Sequence, residues 1–307
     1  MKYIVPVPIT DAALVSSTAP ESEYGEWSAS AVYPPGQLVA RTATHSVYKF
    51  AGTAAASSAT PPENDEANWT RVGPTNRWAC LDQTVGSASK VTATGPTAAT
   101  DPVSMTYVLK PGRVRGLALL DMDAEGVSVS MTVGTESVFD ATFDPLGDTE
   151  DVDNWYDYYY SAIVRRRMVV LTDLPPFHEA EITVTLTSTG SVSLGTLVVG
   201  DVYSMGDVLG GVSLGELSFD RLERDEFGIL DIADRDSAKK MTLPILLPTS
   251  AIDTAALRLR RFRSKPIVWI GSPNHDSMTA YGICRDWSVL VPGPNVSTLS
   301  LEIEGLV

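Results

Sequence analysis

Val127-Ser128-Val129-Ser130-Met131-Thr132-Val133 alternates apolar and small polar side chains without a break. In an extended chain successive side chains point to opposite faces. Val127, Val129, Met131 and Val133 therefore share one face, and Ser128, Ser130 and Thr132 the other, as in a strand with one side in a core and one in water. Outward from it, β-prone stretches recur at 104–109, 116–121, 138–143, 167–172, 181–187 and 194–201. Turn signals such as Lys110-Pro111-Gly112 and Thr189-Gly190 part them. Short strands about ten residues apart, with hardly a helical period among them, predict a β-sandwich of jelly-roll type over residues 74–205.

The flanking segments extend a mainly β reading. Residues 1–25 form an extended N-terminal arm in which Ile4, Val5, Val7 and Ile9 mix with Pro6 and Pro8. Proline lacks a ladder donor, so the arm is expected at a sheet edge or across a neighbour, and not as a central strand. Residues 26–73 are rich in rings, with strands expected at 37–41, 46–50 and 69–72 in a three-stranded miniature sheet. Residues 206–307 predict a β-rich domain with strands near 217–222, 240–247, 267–271, 279–289 and 297–304 and one helix at about 251–264. In that helix Ile252, Ala255, Ala256, Leu259 and Phe262 form an apolar stripe, Ser250 is placed to cap it, and Pro266 ends it. Arg258, Arg260, Arg261, Arg263 and Lys265 crowd its other faces. They are either a docking site for an acidic partner or a solvated face whose cations favour the helix C-terminus.

Of the 307 residues 44% are hydrophobic and 20% charged, a globular composition. Net charge is −15, from 23 basic and 38 acidic residues, which argues against general nucleic-acid binding because phosphate needs a basic surface. No stretch approaches the roughly 18 apolar residues of a membrane span, and Met1 to Pro8 lacks a signal-peptide core, so neither a span nor a secretion signal is expected. Cys80 and Cys284 are expected as two buried thiols.

Catalytic signals are weak. His45, His178 and His275 stand apart, outside any zinc spacing, and no phosphate loop is present. His275-Asp276-Ser277 has triad residue types, but adjacency on a loop does not make triad geometry. No enzyme is expected. Asp151, Asp153 and Asp157 place oxygen ligands for Ca²⁺ at alternating positions, without the central Gly and closing Glu of an EF-hand; the alternative is a solvated acidic loop. No other cofactor is indicated. The rings that follow, from Trp155 to Tyr160, are expected to pack rather than to form a sugar platform.

Two resemblances extend this reading. Trp27, then Tyr33-Pro34-Pro35-Gly36-Gln37-Leu38-Val39, then Val47-Tyr48, Pro61 and Trp69 resemble small chitin- and cellulose-binding modules in order and spacing. The resemblance implies stacking of Trp27, Tyr33, Tyr48 and Trp69 on sugar rings, although the aromatics that such modules add after the Val-Tyr strand are replaced here by Phe50-Ala51-Gly52. A sheet so small also needs its rings as core.

Across the whole length, Leu14-Val15-Ser16-Ser17, Glu26-Trp27-Ser28-Ala29, Gly73-Pro74-Thr75-Asn76-Arg77-Trp78, Leu171-Thr172-Asp173-Leu174-Pro175-Pro176 and Leu301-Glu302-Ile303-Glu304-Gly305-Leu306 resemble tail-tip, baseplate or fibre-associated proteins of tailed bacteriophages. That resemblance implies a structural virion component, made in the bacterial host cytoplasm and carried in the phage tail in several copies, and so a homo-oligomer. Its partners would be other tail, baseplate or fibre proteins, with a host surface glycan as a secondary one. The alternative it leaves open is a carbohydrate-binding receptor-recognition protein.

Overall fold

A computed structural model describes the chain except at positions 58, 83–85, 96–97, 146–153, 161–164, 225–229, 234, 236, 274 and 307. The protein is mainly β, with a curled antiparallel sheet, a small three-stranded sheet and one helix near the C-terminus. The curled sheet has 11 strands. Its main path runs Met168–Leu171, Gly116–Asp123, Ser191–Ser204, Lys2–Pro6, Ile267–Ile270, Thr279–Leu290, Val296–Gly305, Ser237–Pro248 and Asp207–Val208.

A second sheet of five strands orders Glu136–Phe143, Gly126–Val133, Glu181–Thr189, Pro102–Leu109 and Leu14–Ser17. Gly126–Val133 alternates buried and half-buried residues, with Val127, Val129 and Met131 inward. Those side chains meet Leu117, Leu119, Leu194 and Val199 of the curled sheet in one core, which makes the sandwich. The opposite face of Gly116–Asp123 and Ser191–Ser204 is covered too, by a cluster holding Ala118, Leu120, Val198, Ile4 and Val268. Burial on both faces explains the near-continuous apolar run from Leu117 to Leu120.

The N-terminal arm departs from expectation. Lys2–Pro6 is a central strand, paired with Ser191–Ser204 on one side and Ile267–Ile270 on the other. The prolines do not prevent this, because pairing toward Ile267–Ile270 ends at Ile4 with Val268 and Pro6 faces only Gly200. The missing donor therefore falls past the end of the neighbouring strand. Tyr3 is fully buried and its ring packs 5.5 Å from Tyr203 and 5.6 Å from Trp269. Leu14–Ser17, in the same arm, edges the second sheet, so residues 2–17 join both sheets.

The helix forms as Ile252–Arg261; Ala255 is buried, and Leu259 and Phe262 are buried in one cluster with Tyr3, Met241, Leu243 and Leu299. Ser250 does not cap it. The chain enters through a 3₁₀ turn, Thr249–Ala251, so the capping position falls on Ala251 and no side chain caps the helix. The structure also shows both thiols, Cys80 and Cys284, free and buried. Burial pushes each up to about 11.

Candidate interaction surfaces

The small segment folds as Leu38–Arg41, Ser46–Phe50 and Trp69–Pro74, all antiparallel. Its apolar content is concentrated in rings, and the rings turn inward. Tyr33, Tyr48 and Trp69 are 3%, 7% and 2% exposed. Trp69 stands edge-on to Tyr33 at 5.0 Å and to Phe50 at 5.1 Å. The Tyr33 hydroxyl donates to the Ser28 carbonyl at 2.9 Å and accepts from the Ser28 amide at 2.6 Å. These three candidate sugar-stacking residues are core, because a sheet of this size has little else with which to exclude water.

Trp27 is half-buried, and the Arg41 guanidinium covers its ring at 5.0 Å. Arg41 also holds Glu63 through two bonds of 2.7 and 3.1 Å and lies 3.5 Å from Glu26. That hydrogen bonding lowers the Glu63 pKa and raises that of Arg41. The fourth ring is thus occupied by a cation of its own chain.

His45 fastens the small sheet to the body. Its Nε2 lies 2.7 Å from Asp11 and its Nδ1 3.3 Å from Glu21, while its ring stacks on Trp78 at 4.1 Å. Glu21 also accepts from the Thr75 hydroxyl at 2.9 Å and pairs with Arg77 at 3.0 Å. Isolated in sequence, this histidine joins two carboxylates from residues 1–25. The group is a polar clamp; no Ser, Thr or Cys hydroxyl or thiol is hydrogen-bonded to the imidazole among the described contacts.

The exposed rings lie elsewhere. Trp155–Tyr160 is a short helix in which Trp155, Tyr156, Tyr159 and Tyr160 are 70–76% exposed. Helical spacing pairs them, Trp155 with Tyr159 at 6.3 Å and Tyr156 with Tyr160 at 4.8 Å. The expectation that these rings pack in a core is overturned. Asp151 and Asp153 of the candidate Ca²⁺ group lie outside the described residues, as does the side chain of Asp157.

On the C-terminal helix Arg260, Arg261 and Arg263 are exposed, whereas Arg258 is half-buried with its guanidinium 5.7 Å from the Tyr203 ring. Arg258 therefore helps to seat the helix, leaving three of the four arginines to face outward. His275, Asp276 and Ser277 are all exposed, and Asp276 lies 3.8 Å from Arg166.

One further surface had only a partial signal in the sequence. Ser213–Ser218 pairs with the start of Ser237–Pro248, and the two chains run on as Arg221–Arg224 against Leu230–Ala233. That distal part pairs with no third strand among the described residues. Phe219 and Ile232 are 47% and 59% exposed along it, and Leu214, on Ser213–Ser218, is 44% exposed. Among the described residues no helix is long and apolar enough to cross a membrane. No protein-family model matches the chain, and no curated protein matches it.

Proposed function

We propose that this chain is a structural component of a bacteriophage tail tip or baseplate, an assembly protein without catalytic activity that joins neighbouring tail or fibre proteins. The observation that carries the assembly reading is the two-stranded ribbon of Arg221–Arg224 and Leu230–Ala233, which runs on from the edge strand Ser213–Ser218. A two-stranded ribbon is marginal alone in water, and this one leaves Ile232 and, at its base, Phe219 open to solvent. A neighbouring chain that covers it supplies the missing layer. The phage tail as the place of assembly rests on the five sequence stretches that resemble tail proteins. Mass spectrometry and a reconstruction of purified particles test it. The expected result is the chain in several copies with its ribbon against another subunit; absence from the particles rejects the proposal.

A second reading, contact with a host glycan, is favoured by one observation, the rings of Trp155–Tyr160. All four described rings, one Trp and three Tyr, carry a polar rim beside an apolar face, the pairing that sugar rings present in return. Here the contact shifts from the small module, whose rings are buried, to the exposed helix. A glycan array with a Trp155→Ala/Tyr159→Ala control tests it, and absence of binding by the unaltered protein rejects it.

A further inference from the structure

Joining neighbours takes at least two contacts, and the ribbon supplies one. The end of the C-terminal helix has the features of another. Arg260, Arg261, Arg263 and Lys265 are all exposed there. Among the described residues none of the four has an ion-pair partner, whereas Arg41, Arg77, Arg165 and Arg167 each hold a carboxylate. Carboxylates are not scarce in a chain with 38 acidic and 23 basic residues. The fold thus leaves four cations side by side and unneutralised in an acidic protein.

The helix C-terminus accounts for part of this. Its last carbonyls carry partial negative charge and favour Arg260 and Arg261, but that field fades within a turn, and Lys265 lies past the helix end at Arg261. Nor does it account for Leu257, which is 66% exposed and stands three and four residues before the two arginines. That spacing puts Leu257, Arg260 and Arg261 on one face. Asp253, the carboxylate on the same stripe, lies at the other end of the helix.

These groups select the partner. Guanidinium forks pair with carboxylates through two parallel bonds. Phosphates would pair as well, but a long polyanion such as nucleic acid would run from this patch onto a protein of net charge −15. A short acidic run stays within the patch. Leu257 calls in addition for an apolar side chain, which a peptide carries beside its carboxylates and a phosphate polymer lacks. A second copy of this chain would bring its own charge of −15 to the contact, and a short acidic segment on a less charged neighbour would not. We propose that Leu257, Arg260, Arg261, Arg263 and Lys265 dock an acidic segment, with an apolar anchor for Leu257, from a neighbouring protein of different sequence. The proposal rests on the assembly reading and adds to the apolar ribbon a second, charged contact.

Fluorescence anisotropy of a labelled glutamate–leucine copolymer peptide, titrated with the full chain, tests it. The unaltered protein is compared with Arg260→Gln/Arg261→Gln/Arg263→Gln and with Leu257→Gln. All four positions are exposed, so both variants should fold, and circular dichroism checks this. The expected result is binding that weakens as salt rises, falling about tenfold in the triple variant and about threefold in Leu257→Gln. No binding by the unaltered protein, or equal binding by the triple variant, overturns the proposal. Equally tight binding of a single-stranded DNA oligonucleotide overturns it too, by making the patch a general polyanion site. Oligomers of the unaltered protein that vanish in the triple variant, with no peptide present, put a second copy on this face and overturn it as well. The particle reconstruction decides the assembly reading by a separate measurement, so the docking face can fail while that reading stands.

Discussion

Gly200 marks the closest approach in the fold. It pairs with Pro6 across the ladder that seats Lys2–Pro6, and a Cβ placed there would overlap the Val5 carbonyl oxygen. Because the clash is with backbone, no rotamer relieves it. Gly200→Ala is expected to destabilise the protein by about 3 kcal/mol or more, read as a lowered urea midpoint; an unchanged midpoint would mean that the strand is not held there. Cys80 has a different kind of signature. Its thiol is held protonated to about 11 by burial, whereas an unfolded thiol titrates near ~8.5. The folded state thus binds the proton more tightly, so the contribution is fully present below the unfolded value and is lost as pH rises through about 11. The unfolding free energy should fall by about 3 kcal/mol across that interval for this one group. Cys80→Ala removes that share of the alkaline slope, and equal slopes in the two proteins would refute the assignment.

At the scale of the element, the small sheet and the short aromatic helix carry the same residue types in opposite roles. Trp69 is 2% exposed among Tyr33, Tyr48 and Phe50, so Trp69→Ala should cost about 3–5 kcal/mol locally and open the three-stranded sheet to protease. Trp155, 76% exposed, should be replaceable by Ala with less than about 0.5 kcal/mol of change. Cleavage within residues 26–73 in the Trp155 variant and not in the Trp69 variant would reverse the two assignments. The rings were legible in the sequence; the direction they face was not, since that depends on how much other apolar surface each element has at hand.

The strands at 116–121, 127–133 and 181–187 were legible because period-two alternation or sustained apolar character follows directly from what each face meets. The arm departs from the proline expectation because that rule concerns donors opposite a neighbour, and Pro6 lies beyond the neighbour's end. The His45 clamp had no local signal. Its members come from positions as distant as Asp11 and His45, and only the folded chain brings them together.

For the whole molecule, the question is what force joins copies or neighbours. A net charge of −15 makes like copies repel, and this repulsion acts over roughly 10 Å at 0.1 M salt. The ribbon offers apolar side chains, Phe219 and Ile232, whose burial is insensitive to screening. The C-terminal helix instead offers Arg260, Arg261 and Arg263, whose attraction to an acidic surface is screened away. The two surfaces therefore predict opposite responses to salt. If ribbons meet ribbons, raising salt suppresses the net repulsion and self-association strengthens. If arginines dock on acidic faces, association weakens. With the ribbon as the principal contact, sedimentation at rising salt should show growing oligomers. Replacing residues 219–235 with a short turn should leave a folded protein whose association is lost at every salt concentration. Oligomers that persist in the shortened chain, or that dissolve as salt rises, would move the contact from the ribbon to the helix.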